Sequence, residues 1–290
     1  MHLPTLSRRE RGLLSVFLLL LLVAIFAPAL TGAEAGASVF ADDRAWHQVP
    51  NAMDVLSNLP FLVIGLWGLR RLHYLDRSND PAAAVAQEPH VNSLDCAWIF
   101  FAGLVACAAG STFYHLQPDV LRLAADRAGM AIAFAVLMGF AVCEKVSPRA
   151  GWVAAWATLA SGLLAVTVWH ETGNVTPWAV VQFGGMALVL TLALAKPMPE
   201  AAGLKLGWVI FFYALAKLFE LGDHAIYEAT HHLISGHTLK HFTAALAGLP
   251  VLMALQAVVL AGDQNILRGF RLRRLMATEA GLIRIFGCLA

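Results

Sequence analysis

The sequence predicts an all-α integral membrane bundle, on three observations. The 290 residues are 59% hydrophobic and 13% charged, whereas soluble domains run near one-half apolar and about one-quarter charged. Eight apolar runs approach the roughly twenty residues needed to cross a hydrocarbon core of about 30 Å. The breaks between runs are mostly short, so consecutive helices should be antiparallel neighbours in one bundle without a second globular domain.

The runs fall near residues 12–31, 52–70, 95–116, 122–143, 150–170, 176–195, 203–221 and 237–261. Residues 1–35 are expected to form an N-terminal transmembrane helix or signal anchor, 40–265 the main membrane domain, and 266–290 a basic cytoplasmic or interfacial tail. Arg8, Arg9 and Arg11 before a leucine-rich core also suit a secretory signal peptide. The core is long for one, which favours a retained helix. The longest breaks lie at 32–51 and 71–93.

Orientation follows from basic residues, which concentrate on the cytoplasmic side. With a cytoplasmic N-terminus, fifteen of the twenty Lys and Arg fall on that side; Arg44, Arg122, Arg127, Lys217 and Lys240 do not. Eight spans return the C-terminus to the cytoplasm, where the segment Phe270 to Arg274 would meet anionic headgroups. This pattern suits a bacterial inner membrane, and the same features fit an endomembrane protein. A net charge of +1 gives no concentrated basic face and argues against nucleic-acid binding. Cys96, Cys107, Cys143 and Cys288 have no paired spacing, so neither a zinc-thiolate site nor a disulfide framework is expected.

Five polar residues stand out in the apolar runs. Ser111 and His115 are four residues apart, as are His237 and His241, so each pair shares a helix face; Asp126 follows His115 by eleven. In the predicted topology all five arrive at one depth on the non-cytoplasmic side. Polar groups at such depth are costly and mark functional centres. Three neutral imidazoles with one open position form a hydrolytic zinc set, in which the bound water has its pKa lowered towards about 7. His115, His237 and His241 are the expected ligands. Asp126 would act as general acid and base, and Ser111 would hydrogen-bond the water or the developing oxyanion.

The segments Gly110-Ser-Thr-Phe-Tyr-His115 and Ser235-Gly-His-Thr-Leu-Lys-His241, with Asp126 between them, resemble the signature of the alkaline ceramidase family. That family lies in the superfamily that also holds the adiponectin and progestin receptors. The segment Asn51-Ala-Met-Asp-Val-Leu-Ser-Asn-Leu-Pro-Phe61 is similar to the family's first core helix. The resemblance, from about Asp42 to Gly248, implies a seven-helix core and zinc on the three His, with the Ser and Asp assisting the water. The first span is then an addition to that core. The resemblance also raises a calcium site, for which this chain offers Asp42, Asp43, Trp46, Asn51 and Asp54, with Asn51 replacing the family's glutamate. Calcium needs six to eight oxygens, and this set supplies only part of that shell, so zinc is the stronger expectation.

Lys217, Glu220 and Asp223, three residues apart, are expected to form a structural ion-paired network. Lys240 is expected to point away from the ligand face and snorkel to headgroups. His224, His231 and His232 read as solvated loop residues. Trp67, Trp98, Phe101, Met130 and Phe183 read as packing or interfacial belt residues, and Gly103, Gly110, Gly184 and Gly185 as points of close helix approach.

The expected function is hydrolysis of a ceramide-like lipid amide, whose long acyl chain enters from the bilayer, to a fatty acid and an amino alcohol. The alternatives are a receptor-like protein of the same superfamily without turnover, and a haem or proton-coupled membrane protein. Bis-His haem ligation usually draws on opposing helices, whereas His237 and His241 share one face.

Overall fold

In a computed structural model the protein is a helical bundle, described over residues 5–31, 40–76, 91–199 and 201–255. The basic tail, Phe270 to Arg274 and Cys288 lie outside the described residues. Helix α1 spans Arg8–Phe26, α2 Ala52–Leu56, α3 Leu59–Asp76, α4 Val91–Leu116, α5 Val120–Lys145 and α6 Pro148–Thr172. Then come α7 (Thr176–Ala179), a π-helical turn (Val180–Gly184), α8 (Gly185–Leu194), α9 (Leu206–Leu221), α10 (Asp223–Ala229) and α11 (Gly236–Leu246).

Six helices among the described residues are long and apolar enough to cross a membrane, against eight expected runs: 52–74, 93–116, 120–145, 148–172, 176–194 and 236–255. Two runs differ for physical reasons. Helix α1 has 19 residues but opens on Arg8, Arg9, Glu10 and Arg11, which shortens its uncharged core. Helix α9 has only 16 residues, about 24 Å at 1.5 Å per residue, because regular helix starts at Leu206 and Gly222 breaks its far end.

Local sequence sets the helix ends. The Asp119 carboxylate accepts from the Arg122 N–H and starts α5, Ser147 caps α6 ahead of Pro148, and Gly173 at φ 71° ends α6 in a left-handed conformation. Helix α5 is central, with 67% of its span buried, and packs on α4 and α6. Small residues allow this close fit. A Cβ on Gly110 would lie 2.7 Å from Ala125 O, and one on Gly103 would lie 3.1 Å from Ala133 N. Gly184 faces Leu20 of α1, whereas Gly185 has nothing nearer than Met138 Cε at 3.8 Å and so does not serve close approach. Phe101 is fully buried, while Trp67 and Phe183 face outward and Trp98 packs at the edge of the core. Cys96, Cys107 and Cys143 are buried free thiols.

Several basic residues assigned to one membrane face meet at one end of the bundle. Arg9 Nη1 donates to the carbonyls of Lys145 and Lys196 at 2.8 and 3.3 Å. The buried Glu10 accepts from Arg149 Nε, Arg149 Nη2 and Ser147 Oγ, each at 2.7 Å, and joins α1 to α6. Arg149, then Ser147 and the Ser7 backbone, hold the Glu10 carboxyl far below its ordinary value of 4.5. A carboxylate depressed in the folded state contributes stability above its unfolded pKa, and that contribution is lost as pH falls below about 4.5. Glu10→Gln should therefore lower the thermal midpoint at pH 7 and show a smaller deficit at pH 3; an equal deficit at both pH values would exclude the ion pair as its cause.

Candidate metal centre

The bundle end opposite the Glu10 contacts gathers the five polar residues from three helices. His115 is in the last turn of α4, Asp126 in the second turn of α5, and His237 and His241 begin α11. One donor nitrogen from each of His115, His237 and His241 lies within 4.8 Å of the others. His115 Nε2 and His237 Nε2 are 3.3 Å apart. That is close to the edge of a tetrahedron with metal–nitrogen bonds of about 2.0–2.1 Å. His115 and His241 are 1% and 3% exposed, so the rings meet where water is scarce.

The supporting shell fixes the rings. Ser57 Oγ lies 2.7 Å from His241 Nδ1, which leaves Nε2 for the cluster. Ordering one ring nitrogen through a hydrogen bond on the other is the usual way to orient a metal-binding His. Asn51 Nδ2 donates to the His115 carbonyl at 2.8 Å, and Thr238 Oγ1 donates to Asp54 Oδ1 at 2.8 Å. The strand-free stretch around α2 thus braces both ligand helices from behind. Phe40 packs on His115 and His237 with ring centroids at 4.7 and 4.8 Å and closes the cluster on another side. His115 Nδ1 is buried with no protein partner. The donor set fits a borderline metal such as zinc: three imidazoles, one held by a hydroxyl, with two Nε2 atoms facing each other at bridging distance.

Helix α11 reaches this position through Asp223 and Gly236. Asp223 Oδ1 accepts the His237 N–H at 2.7 Å, and the Ser235 hydroxyl accepts the Thr238 N–H at 3.0 Å. Asp223 Oδ2 also accepts the Ala41 N–H, tying the segment before α2 to the start of α11. A Cβ on Gly236 would collide with Phe219 O and lie 2.7 Å from Asp223 Cα. These are backbone atoms, so Gly236→Ala must push α11 off α9. It is expected to cost about 1–3 kcal/mol and to reduce zinc content, measured by thermal unfolding and metal analysis in detergent. Normal zinc with an unchanged midpoint would show that the start of α11 is not fixed by this contact.

Ser111 and Asp126 line the same cavity as His241. The cavity has a volume of about 140 Å³. It follows one face of α5 from Asp126 through Met130 and Phe134 to Leu137, three turns or about 16 Å, and includes Phe100, Met186 and Val209. Cys107 and Met130 line it too, so these two residues face the cavity rather than only filling core.

Three expectations about neighbouring polar residues need correction. Lys240 does not point away: its Nζ lies 3.2 Å from His237 Nε2 and 2.8 Å from Glu220 Oε1, inside the cavity wall. Three residues separate Lys240 from His237, which is close enough on a helix to share a side of it. Glu220 binds Lys217 and Lys240, but Asp223 does not join that network: its Oδ1 takes the His237 N–H at the start of α11 and its Oδ2 the Ala41 N–H. His224 lies within α10 rather than in a loop; His231 and His232 sit beyond it at φ 53° and 62°.

Of the acidic residues considered for calcium, Asp42 and one oxygen of Asp54 are engaged by protein groups. Asp42 takes Arg44 Nε at 2.7 Å and Nη2 at 2.6 Å. Burial would raise its pKa, but the Arg44 hydrogen bonds and charge hold it below the usual 3.8. Asp54 Oδ1 holds Thr238, and Asn51 presents its amide N–H to a carbonyl. Among the described residues the His115, His237 and His241 cluster is the group with metal-ligating geometry.

No protein-family model matches the chain, and no curated protein shows significant similarity to it.

Proposed function

We propose that this protein is a zinc-dependent membrane hydrolase that cleaves a ceramide-like lipid amide to a fatty acid and an amino alcohol. Its core is taken as seven helices of the alkaline ceramidase kind, with α1 added. The observation that carries this proposal is the meeting of three His with Ser111 and Asp126 at the polar end of an apolar cavity.

A divalent cation held by three imidazoles lowers the pKa of a water and polarises a carbonyl oxygen. The remaining work falls to the chain. Asp126 accepts the proton of the attacking water as the carbon–oxygen bond forms, and delivers it to the leaving nitrogen as the carbon–nitrogen bond breaks. The products are a fatty acid and a free amine. Ser111, on the same cavity wall, hydrogen-bonds the attacking water or the developing oxyanion. The apolar wall from Met130 to Leu137 holds the acyl chain and excludes water from the polar end. The basic end around Arg9 and Arg149 is taken as cytoplasmic, with the site near the opposite leaflet of a bacterial inner membrane.

The test is metal analysis of the purified full chain with a screen of ceramides and other lipid amides. Stoichiometric zinc and release of fatty acid that stops on chelation are expected. Hydrolysis that persists without zinc overturns the mechanism, and lipid binding without product favours a receptor of the same architecture.

A further inference from the structure

On the hydrolase proposal above, we infer that the Lys240 ammonium, with Glu220 behind it, forms an anion subsite beside the three imidazoles. It receives the oxyanion formed at the scissile carbonyl and then the carboxylate of the released fatty acid.

The inference rests on where the Lys240 ammonium ends. Its Nζ is 3.2 Å from His237 Nε2, the same atom that faces His115 Nε2 at 3.3 Å. The side chain shares the cavity wall with Ser111, Asp126 and His241. It is held there by Glu220 Oε1 at 2.8 Å, while Glu220 Oε2 takes Lys217. A lysine at a bilayer boundary ordinarily extends to water or headgroups; this one is turned inward and is 22% exposed.

Two features leave the ammonium able to take an anion. Lys217 and Lys240 share the single carboxylate of Glu220, so these three residues taken together carry one positive charge in excess, with the Asp126 carboxylate on the same cavity wall. Asp223 accepts the Ala41 and His237 N–H groups and makes no ion pair with either lysine. Second, the Nζ contact with His237 uses the ring lone pair. Once that lone pair is committed to a cation, the Lys240 donor needs another acceptor, and the cavity supplies space for an oxygen of the ligand. Charge-assisted donors aimed at a developing oxyanion are effective in a site with little water.

The test compares hexadecanoic acid with hexadecanol binding to the purified full chain, zinc-loaded and metal-free. Wild type is expected to prefer the acid, and Lys240→Met to weaken acid binding by about 10- to 100-fold, with alcohol binding and zinc content unchanged. Lys240→Arg should keep part of the preference. Glu220→Gln, which leaves the ammonium without its carboxylate, should bind the acid severalfold more tightly. An acid preference untouched in Lys240→Met, or acid binding not strengthened in Glu220→Gln, overturns the subsite and reduces Lys240 to a structural partner of Glu220. A Lys240-dependent acid preference in protein that carries no zinc and cleaves no amide would sink the hydrolase while the subsite stands.

Discussion

Replacing His237 with alanine is expected to strip the protein of zinc and take lipid-amide hydrolysis to background. His237 Nε2 is 3.3 Å from His115 Nε2, and its loss leaves two imidazoles, one on each of two helices. Removing only an outer-shell partner of a metal ligand commonly costs 10–100-fold in affinity or activity, so loss of a ligand should exceed that. The fold should survive. Asp223 grips the His237 backbone N–H rather than its ring, so the alanine variant keeps the contact that starts α11. Zinc stoichiometry, alongside a thermal midpoint near that of wild type, separates metal loss from unfolding. A His237→Ala protein that retains one zinc would show that the cluster is not the metal site.

Asp126→Asn should have the complementary effect: zinc retained and turnover reduced by about 10²- to 10⁴-fold, the usual contribution of a positioned acid–base group. Asparagine keeps the size of the side chain and a hydrogen-bonding oxygen, but it can no longer accept and return the water's proton. Asp126 is absent from the donor cluster, which consists of His115, His237 and His241. The two variants therefore split metal binding from proton transfer. Wild-type kcat in Asp126→Asn would remove Asp126 from the mechanism, and loss of zinc would recast it as a support for the ligands.

The meeting of His115, His237, His241, Ser111 and Asp126 was legible in the sequence because two periodicities compound. Four-residue spacing selects a helix face, and alternating helix direction selects a bundle end. The supporting residues were less legible. Ser57, Asn51 and Asp54 make contacts that run to residues far along the chain, such as the 184-residue separation between Ser57 and His241. Phe40 precedes any periodic run, so no pattern marks its packing on His115 and His237. Lys240 was misread because its charge was weighed more heavily than its position one turn from His237. The short α9 was taken for a full span because hydropathy registers apolar length without registering where a helix stops; regular structure begins only at Leu206 and ends at Gly222.

The brace formed by Asn51, Asp54 and Ser57 also has a consequence for biogenesis. Its partners are His115, 122 residues before His237, and the opening turn of α11, Thr238 and His241. Such distant pairings form late, after much of the loop entropy separating them has been overcome. A ribosome-bound or truncated chain lacking α11 can offer only one of the three imidazoles, so the cluster is completed only once α11 has joined the bundle. Assembly of the cluster then reports that α11 has docked.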